Sequence, residues 1–333
     1  MGSSPALAAL VLALLPSPAF ADPDDYVAPA AREVEPARPL AVMVLQPRVA
    51  SSIELGRILF PSGGGGILGT LIIDGQNNIP ERLAASALAR AEERIVPLVA
   101  VLEDFDVASL AKEATMAAMA ETSWLGASPP ELYAPARPAG AAEDDGPVYV
   151  STTYREGMVG RESNDTEAGA AWAADVAAAQ AAFRAAHADA PELAQVLWRY
   201  QMSPDFTQVQ VIADVSLSRQ GTGFYNQQLI SIVRLNRPSF IEEENVARWA
   251  DNDGALVQAA LASAFARAGE VLPSIMALDQ AGFTEATDRR RESVTSAGYH
   301  GPVLLRDETG PVFWARDGDQ GLAAFVTVQV AAE

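Results

Sequence analysis

Cysteine is absent from the 333 residues, lysine occurs once, at Lys112, and histidine twice, at His187 and His300. Without thiols there is no disulfide framework, no thiolate metal site and no cysteine nucleophile. A mechanism that needs a lysine has only Lys112 to use. Neither histidine has a second at metal-ligating spacing, which argues against a zinc hydrolase. Long hydrophobic runs are missing too. No segment after the N-terminal region reaches 18 apolar residues, so no transmembrane helix is expected in the mature chain. Positive charge is scarce, with 23 basic against 43 acidic residues and a net charge of -20. Nucleic-acid binding needs lysine and arginine to displace counterions from phosphates, so that class is set aside.

What is present is an apolar chain. Hydrophobic residues make up 49% and charged residues 20%, a balance that supports a folded core. A chain of this length buries about three quarters of its unfolded surface, so neither metal nor disulfide is needed to hold it. The 64 alanines and 22 arginines are read as coding composition rather than function.

The N-terminus has the form of a secretory leader. Ala6 to Leu15 is apolar, Pro16 and Pro18 break it, and Ala19-Phe20-Ala21 gives a small-x-small cleavage site. No lysine or arginine precedes the run, so the amino group alone supplies positive charge. The expectation is a signal peptide over 1–21, cleaved after Ala21, and a mature chain in the periplasm. No cysteine follows to take a lipid.

Residues 22–40 read as a Pro-rich disordered linker, and 41–333 as a single α+β domain with a subdivision at 127–147 left open. Strands are expected at 41–45, 53–60 and 148–154. Asp106 is placed as the cap of a helix that ends near Trp124. An Ala-rich helix runs from about Glu167 to His187. Val196, Trp198, Tyr200 and Met202 alternate with polar residues, as do Val209, Val211, Ala213, Val215 and Leu217, and Leu229 to Leu235 follows. This pattern predicts an antiparallel β meander with one buried face. Helices follow near 242–250 and 254–278, the second with a stripe of Leu261, Phe265, Ala268, Leu272 and Ile275. A C-terminal β-hairpin over 303–315 and a strand over 322–330 close the chain. Helices and antiparallel strands arrive in blocks, so the fold class is α+β, a meander packed with amphipathic Ala-rich helices.

Five patterns carry candidate chemistry. Gly63, Gly64, Gly65 and Gly66 lead into Ile67 and Leu68 within a stretch free of charge from Ile58 to Ile73. The letters fit G-x-G-x-x-G, but no acidic residue follows at the distance a dinucleotide fold uses. An interaction segment, or simply core, is the better reading. Ser109 and Lys112 have the S-x-x-K spacing, which sets a serine and a lysine on one helix face; the K-T-G and S-D-N partners of that chemistry are absent. Neither histidine sits near a G-x-S-x-G elbow, so a serine triad has no nucleophile to serve. Asp251 and Asp253, in Asp-Asn-Asp-Gly, resemble the middle of a calcium loop without its first and last ligands. Arg289-Arg290-Arg291 is flanked by Asp288 and Glu292, the pattern of a solvated helix face rather than a phosphate site.

The segment order resembles a set of uncharacterised exported bacterial proteins. Gly66 to Asp74, Leu102 to Asp106 and Tyr200 to Phe206 carry the resemblance, over about two thirds of the mature chain. It implies export and one α+β unit. No activity comes with it, and no site residue.

The expectation is therefore a non-catalytic binding or assembly factor of the cell envelope, without a cofactor. Its partner would be an envelope protein or outer-membrane component. The alternative is a periplasmic hydrolase using Ser109/Lys112 or paired carboxylates. A calcium-stabilised structural protein is a third class.

Overall fold

Alternating side chains build the centre of the fold. In the computed structural model, which describes residues 25–33, 37–46, 48–51, 53–54, 90–91, 93–133, 152–153, 167–316 and 323–332, β6 (Glu192–Met202), β7 (Gln208–Arg219) and β8 (Thr222–Arg234) form an antiparallel meander. Ala194, Val196, Trp198, Tyr200 and Met202 of β6 lie on one face with Val209, Val211, Ala213, Val215 and Leu217 of β7, and all are buried. The period of two across a pleated strand puts every second residue on the same side. The Arg219–Thr222 turn holds Gln220 and Gly221 at positive φ, 50° and 80°. This is the two-residue turn whose twist suits a hairpin.

Strands remote in sequence extend the meander. β1 (Leu40–Val44) pairs parallel with β6 on one side and with β4 (Glu131–Leu132) on the other, while β2 (Ala50–Ser51) also pairs with β6. Beyond β8 comes β12 (Ala323–Val330), parallel to it. Then follow β11 (Pro311–Arg316), β10 (Tyr299–Arg306) and β9 (Ser293–Ser296), each antiparallel to its neighbour. The result is a ten-stranded, mostly antiparallel sheet of order β4-β1-β6-β7-β8-β12-β11-β10-β9, with β2 off this path against β6. The short strands β3 (Ile53–Glu54) and β5 (Thr152–Thr153) pair separately. The fold class is α+β, with the expected meander, C-terminal hairpin and final strand in place.

One face of the sheet is covered by helical residues 93–101, α1 (Val107–Glu121) and α3 (Glu242–Met276). Asp106 caps α1, its Oδ1 accepting from the Ser109 amide at 3.0 Å. The α3 stripe of Leu261, Phe265, Ala268, Leu272 and Ile275 is at most 2% exposed. Burial of each large member is worth about 1.5–3 kcal/mol. By length and composition α3 could cross a membrane, but 56% of its most apolar window is buried inside the fold, so its apolarity serves the core. Its first and second halves meet at a break, where Asn252, Asp253 and Gly254 take φ of 51°, 54° and 75°. Gly254 is required there: a Cβ would lie 2.5 Å from a Val101 methyl. Gly269 lets α3 approach α1 in the same way, where a Cβ would meet the Ala114 carbonyl at 2.7 Å.

The opposite face has two smaller clusters. Phe183 of α2 (Glu167–Ala186) packs with Ala41, Met43 and Leu193. Ile212, Ile230, Ile232, Phe313 and Val326 pack under the β9–β10 hairpin. Residues 93–133 and the strands after 192 share one sheet and one buried cluster. Of the 127–147 stretch, 134–147 lies outside the described residues.

The linker expected over 22–40 is instead, in its described parts, a docked segment. Val27 is 1% and Arg38 2% exposed, and Pro29–Arg32 forms a 3-10 turn. The Val27 amide donates to the Leu278 carbonyl, and Arg32 donates to the Ala277 and Leu278 carbonyls. Proline content suggested an extended solvated chain, but the side chains between the prolines supply anchors that composition does not weigh.

Candidate functional site

The end of the sheet formed by β9 to β12 holds a cavity of about 480 Å³. Helix α4 (Gln280–Ala286) begins beside it, with Asp279 accepting from the Gly282 amide as its cap. That helix brings Phe283 to the cavity, and the turn after it brings Thr287 and Arg289. Ser293 of β9, His300, Gly301 and Pro302 of β10, Trp314 of β11 and Ala323 of β12 complete the wall with Asp25.

The geometry follows from two backbone features. Ala297 and Gly298, at φ 53° and 87°, close β9 onto β10, with Ser296 opposite Tyr299, Thr295 opposite His300 and Ser293 opposite Pro302. Ser293, Thr295, His300 and Pro302 therefore share one face of the hairpin, while Val294 and Tyr299 pack into the core on the other. Gly301 then passes so close to β11 that a Cβ would lie 1.6 Å from the Trp314 carbonyl oxygen. Only glycine allows this crossing.

An aromatic group forms the apolar side. Phe283 meets Trp314 edge-on at 5.1 Å, and Trp314 meets Phe325 at 4.8 Å, distances that favour such pairs. On the polar side, the three arginines separate in role. Arg290 pairs with Asp288 at 2.7 Å and Arg291 with Glu285 at 3.3 Å. Hydrogen bonds from the Arg290 side chain and amide pull the Asp288 carboxyl down to about 2. Arg289 lines the cavity and has no carboxylate partner among the described residues. His300 Nδ1 lies 2.9 Å from the Thr295 hydroxyl. When that hydroxyl donates to Nδ1, the ring carries its proton on Nε2. Among the described residues His300 has neither a carboxylate to orient it nor a hydrogen bond to Ser293, so the wall holds no nucleophile–base pair of the triad kind.

The sequence candidates are spread elsewhere. Ser109 is exposed on α1, and its hydroxyl donates to Asp106 Oδ2 at 2.6 Å. The same bond, with the Ser109 amide, holds the Asp106 carboxyl below its ordinary range. The serine proton is thus engaged by the cap rather than by Lys112. Asp251 and Asp253 are exposed in the break of α3, where Asp251 Oδ1 accepts from the Asn252 amide. Among the described residues no three His, Asp or Glu side chains converge as a metal group. His187 Nε2 sits 2.7 Å from Glu131 Oε1, and the His187 ring packs 5.0 Å from Phe183, at the end of α2. Gly63, Gly64, Gly65, Gly66, Ile67 and Leu68 lie outside the described residues.

No local sequence pattern joins Arg289 to His300. Ala297-Gly298 was the available signal for the hairpin. Alanine at the first position of such a turn is unusual, since it must take positive φ there.

No protein-family model, no curated protein and no solved structure matches this chain.

Proposed function

We propose that the chain is an exported, non-catalytic binding factor of the cell envelope that takes a small ligand in the cavity between α4, the β9–β10 hairpin and β11. The observation that carries this reading is the convergence of an aromatic wall, a guanidinium without a carboxylate partner among the described residues, and an imidazole on one open space of about 480 Å³. That is within the size range of small-molecule sites, and such sites combine apolar walls with a few polar groups. The leader-like N-terminus supports the exported setting.

A second feature supports a partner in addition to a ligand. Phe240 is fully exposed and Ile241 is 52% exposed, just before α3. Adjacent apolar side chains held in water favour contact with another surface. The hydrolase alternative draws less support, because Asp106 engages the Ser109 hydroxyl.

Native mass spectrometry on the exported protein, purified without denaturation from the cell that makes it, tests the reading. Retained mass above that of residues 22–333 supports it. A bare chain, together with turnover of an ester or glycoside by the purified protein, would replace it with the hydrolase alternative.

A further inference from the structure

Given that the cavity binds ligand, we propose that it takes an organic anion, a carboxylate or phosphate group carried on an apolar body, with Arg289 as the anchoring residue. Other described arginines, Arg184, Arg234 and Arg237, also lack a carboxylate partner among the described residues, so what sets Arg289 apart is its place on the cavity wall beside His300. Its neighbours are matched: Arg290 by Asp288, Arg291 by Glu285, and Arg306 by Glu292. Arg289 alone of the three consecutive arginines lines the cavity. A planar guanidinium left unmatched presents a fork of donors that fits a carboxylate or phosphate edge.

The other polar groups divide by what they can give. When the Thr295 hydroxyl donates to Nδ1, His300 carries its proton on Nε2, which has no partner among the described residues and can donate to a ligand. Among the described residues Ser293 makes only a long contact, 3.4 Å, to the Arg291 carbonyl, so its hydroxyl can turn to a ligand. Thr287 donates to the Phe283 carbonyl at 2.9 Å and is committed to the helix end. Donors thus come from Arg289, His300 and Ser293. Phe283, Pro302, Trp314 and Ala323 form the apolar side, which has no use for a bare ion. Asp25 lines the cavity as well, and its charge disfavours an anion placed against it. The anionic group therefore belongs at the Arg289 and His300 end, with the apolar body along the aromatic wall.

The test is ligand-observed NMR on the full chain with four probes: benzoate, benzyl alcohol, benzylammonium and inorganic phosphate. Benzoate is expected to bind more tightly than the other three. Arg289→Ala should weaken benzoate by about tenfold, the loss of one charge-assisted contact. Arg290→Ala, which removes a guanidinium already matched by Asp288, should leave benzoate binding within about twofold. Phosphate bound as tightly as benzoate would overturn the apolar body. Benzyl alcohol or benzylammonium bound at least as well as benzoate would overturn the anion while leaving a binding cavity. Equal benzoate affinity in wild type and Arg289→Ala would overturn the anchor. Silence from all four probes would overturn both the anion and the small-ligand reading of the cavity.

Discussion

Arg38 and Glu192, 154 residues apart, form a buried ion pair at 2.6 Å, with side chains 1% and 4% exposed. Arg38 also donates to the carbonyls of Trp124 and Ala31, and Glu192 accepts from Arg219 on its other oxygen. The pair pins the N-terminal segment to the first residue of β6. Removing Arg38 leaves the buried Glu192 carboxylate with only the largely exposed Arg219 to match it among the described residues. Arg38→Ala should therefore cost about 3–5 kcal/mol, read as a drop in the urea midpoint. Arg219→Ala, whose own side chain is 62% exposed, should cost far less. Equal losses would mean that Arg38 is not the anchor.

Trp198 is fully buried, and its indole N–H donates to the Thr115 hydroxyl at 3.1 Å, joining β6 to α1. Thr115→Val keeps the shape and removes the acceptor. The expected loss is about 1–3 kcal/mol, the penalty of an unpaired buried donor. A variant as stable as wild type would show that the indole finds another acceptor.

Gly301→Ala places a methyl group where the Trp314 carbonyl stands. β10 and β11 must separate, and the cavity wall moves with them. Loss of the folded transition, or a shift of several degrees in Tm with loss of any bound ligand, is expected. Gly221→Ala, where a Cβ meets nothing within 4 Å, carries only the strain of positive φ. It should be the milder of the two.

Asp307 lies in the turn between β10 and β11. Hydrogen bonding from Arg267 holds its carboxyl below 3.8, with help from the Gly310 and Thr309 amides. A folded-state value below the unfolded one stabilises the fold above about pH 4, and that contribution is lost as pH falls through the folded value. Stability should therefore decline from about pH 4 downward. Asp307→Asn should be less stable near neutrality and show a shallower decline in acid. An unchanged acid slope in the variant would remove Asp307 from the explanation.

Ser109 and Lys112 give a clean chemical test. With the serine proton engaged by Asp106, a fluorescent penicillin or fluorophosphonate should not label the chain. Labelling that disappears in Ser109→Ala would establish the hydrolase instead.

Local pattern made some of these elements readable and not others. The meander was legible because Val196, Trp198, Tyr200 and Met202 alternate within one strand, and α3 because its stripe recurs at helical spacing. The break at Asp251-Asn252-Asp253-Gly254 was visible as two helices near 242–250 and 254–278. Sheet order was not visible. β12 enters between β8 and β11, parallel to β8, with Phe325 beside Leu229, and no local feature of β8 or β12 records that pairing. The cavity was hidden for the same reason. Its wall joins Asp25, Phe283, His300, Trp314 and Ala323, residues brought together only by tertiary pairing. Arg289 looked like one of three solvated arginines because the nearby Asp288 and Glu285 are in reach of all three along the chain, and only the folded chain pairs them with Arg290 and Arg291.

The most direct measurement is native mass spectrometry of the exported protein beside a Ser293→Trp variant. Ser293 lies on an exposed edge strand, so an indole there can fill the cavity without entering the core. The expected result is a retained adduct on the wild-type chain and a bare chain for the variant, with the variant still melting in one cooperative transition. An adduct that persists in Ser293→Trp, or its absence from both proteins, would contradict ligand binding in this cavity.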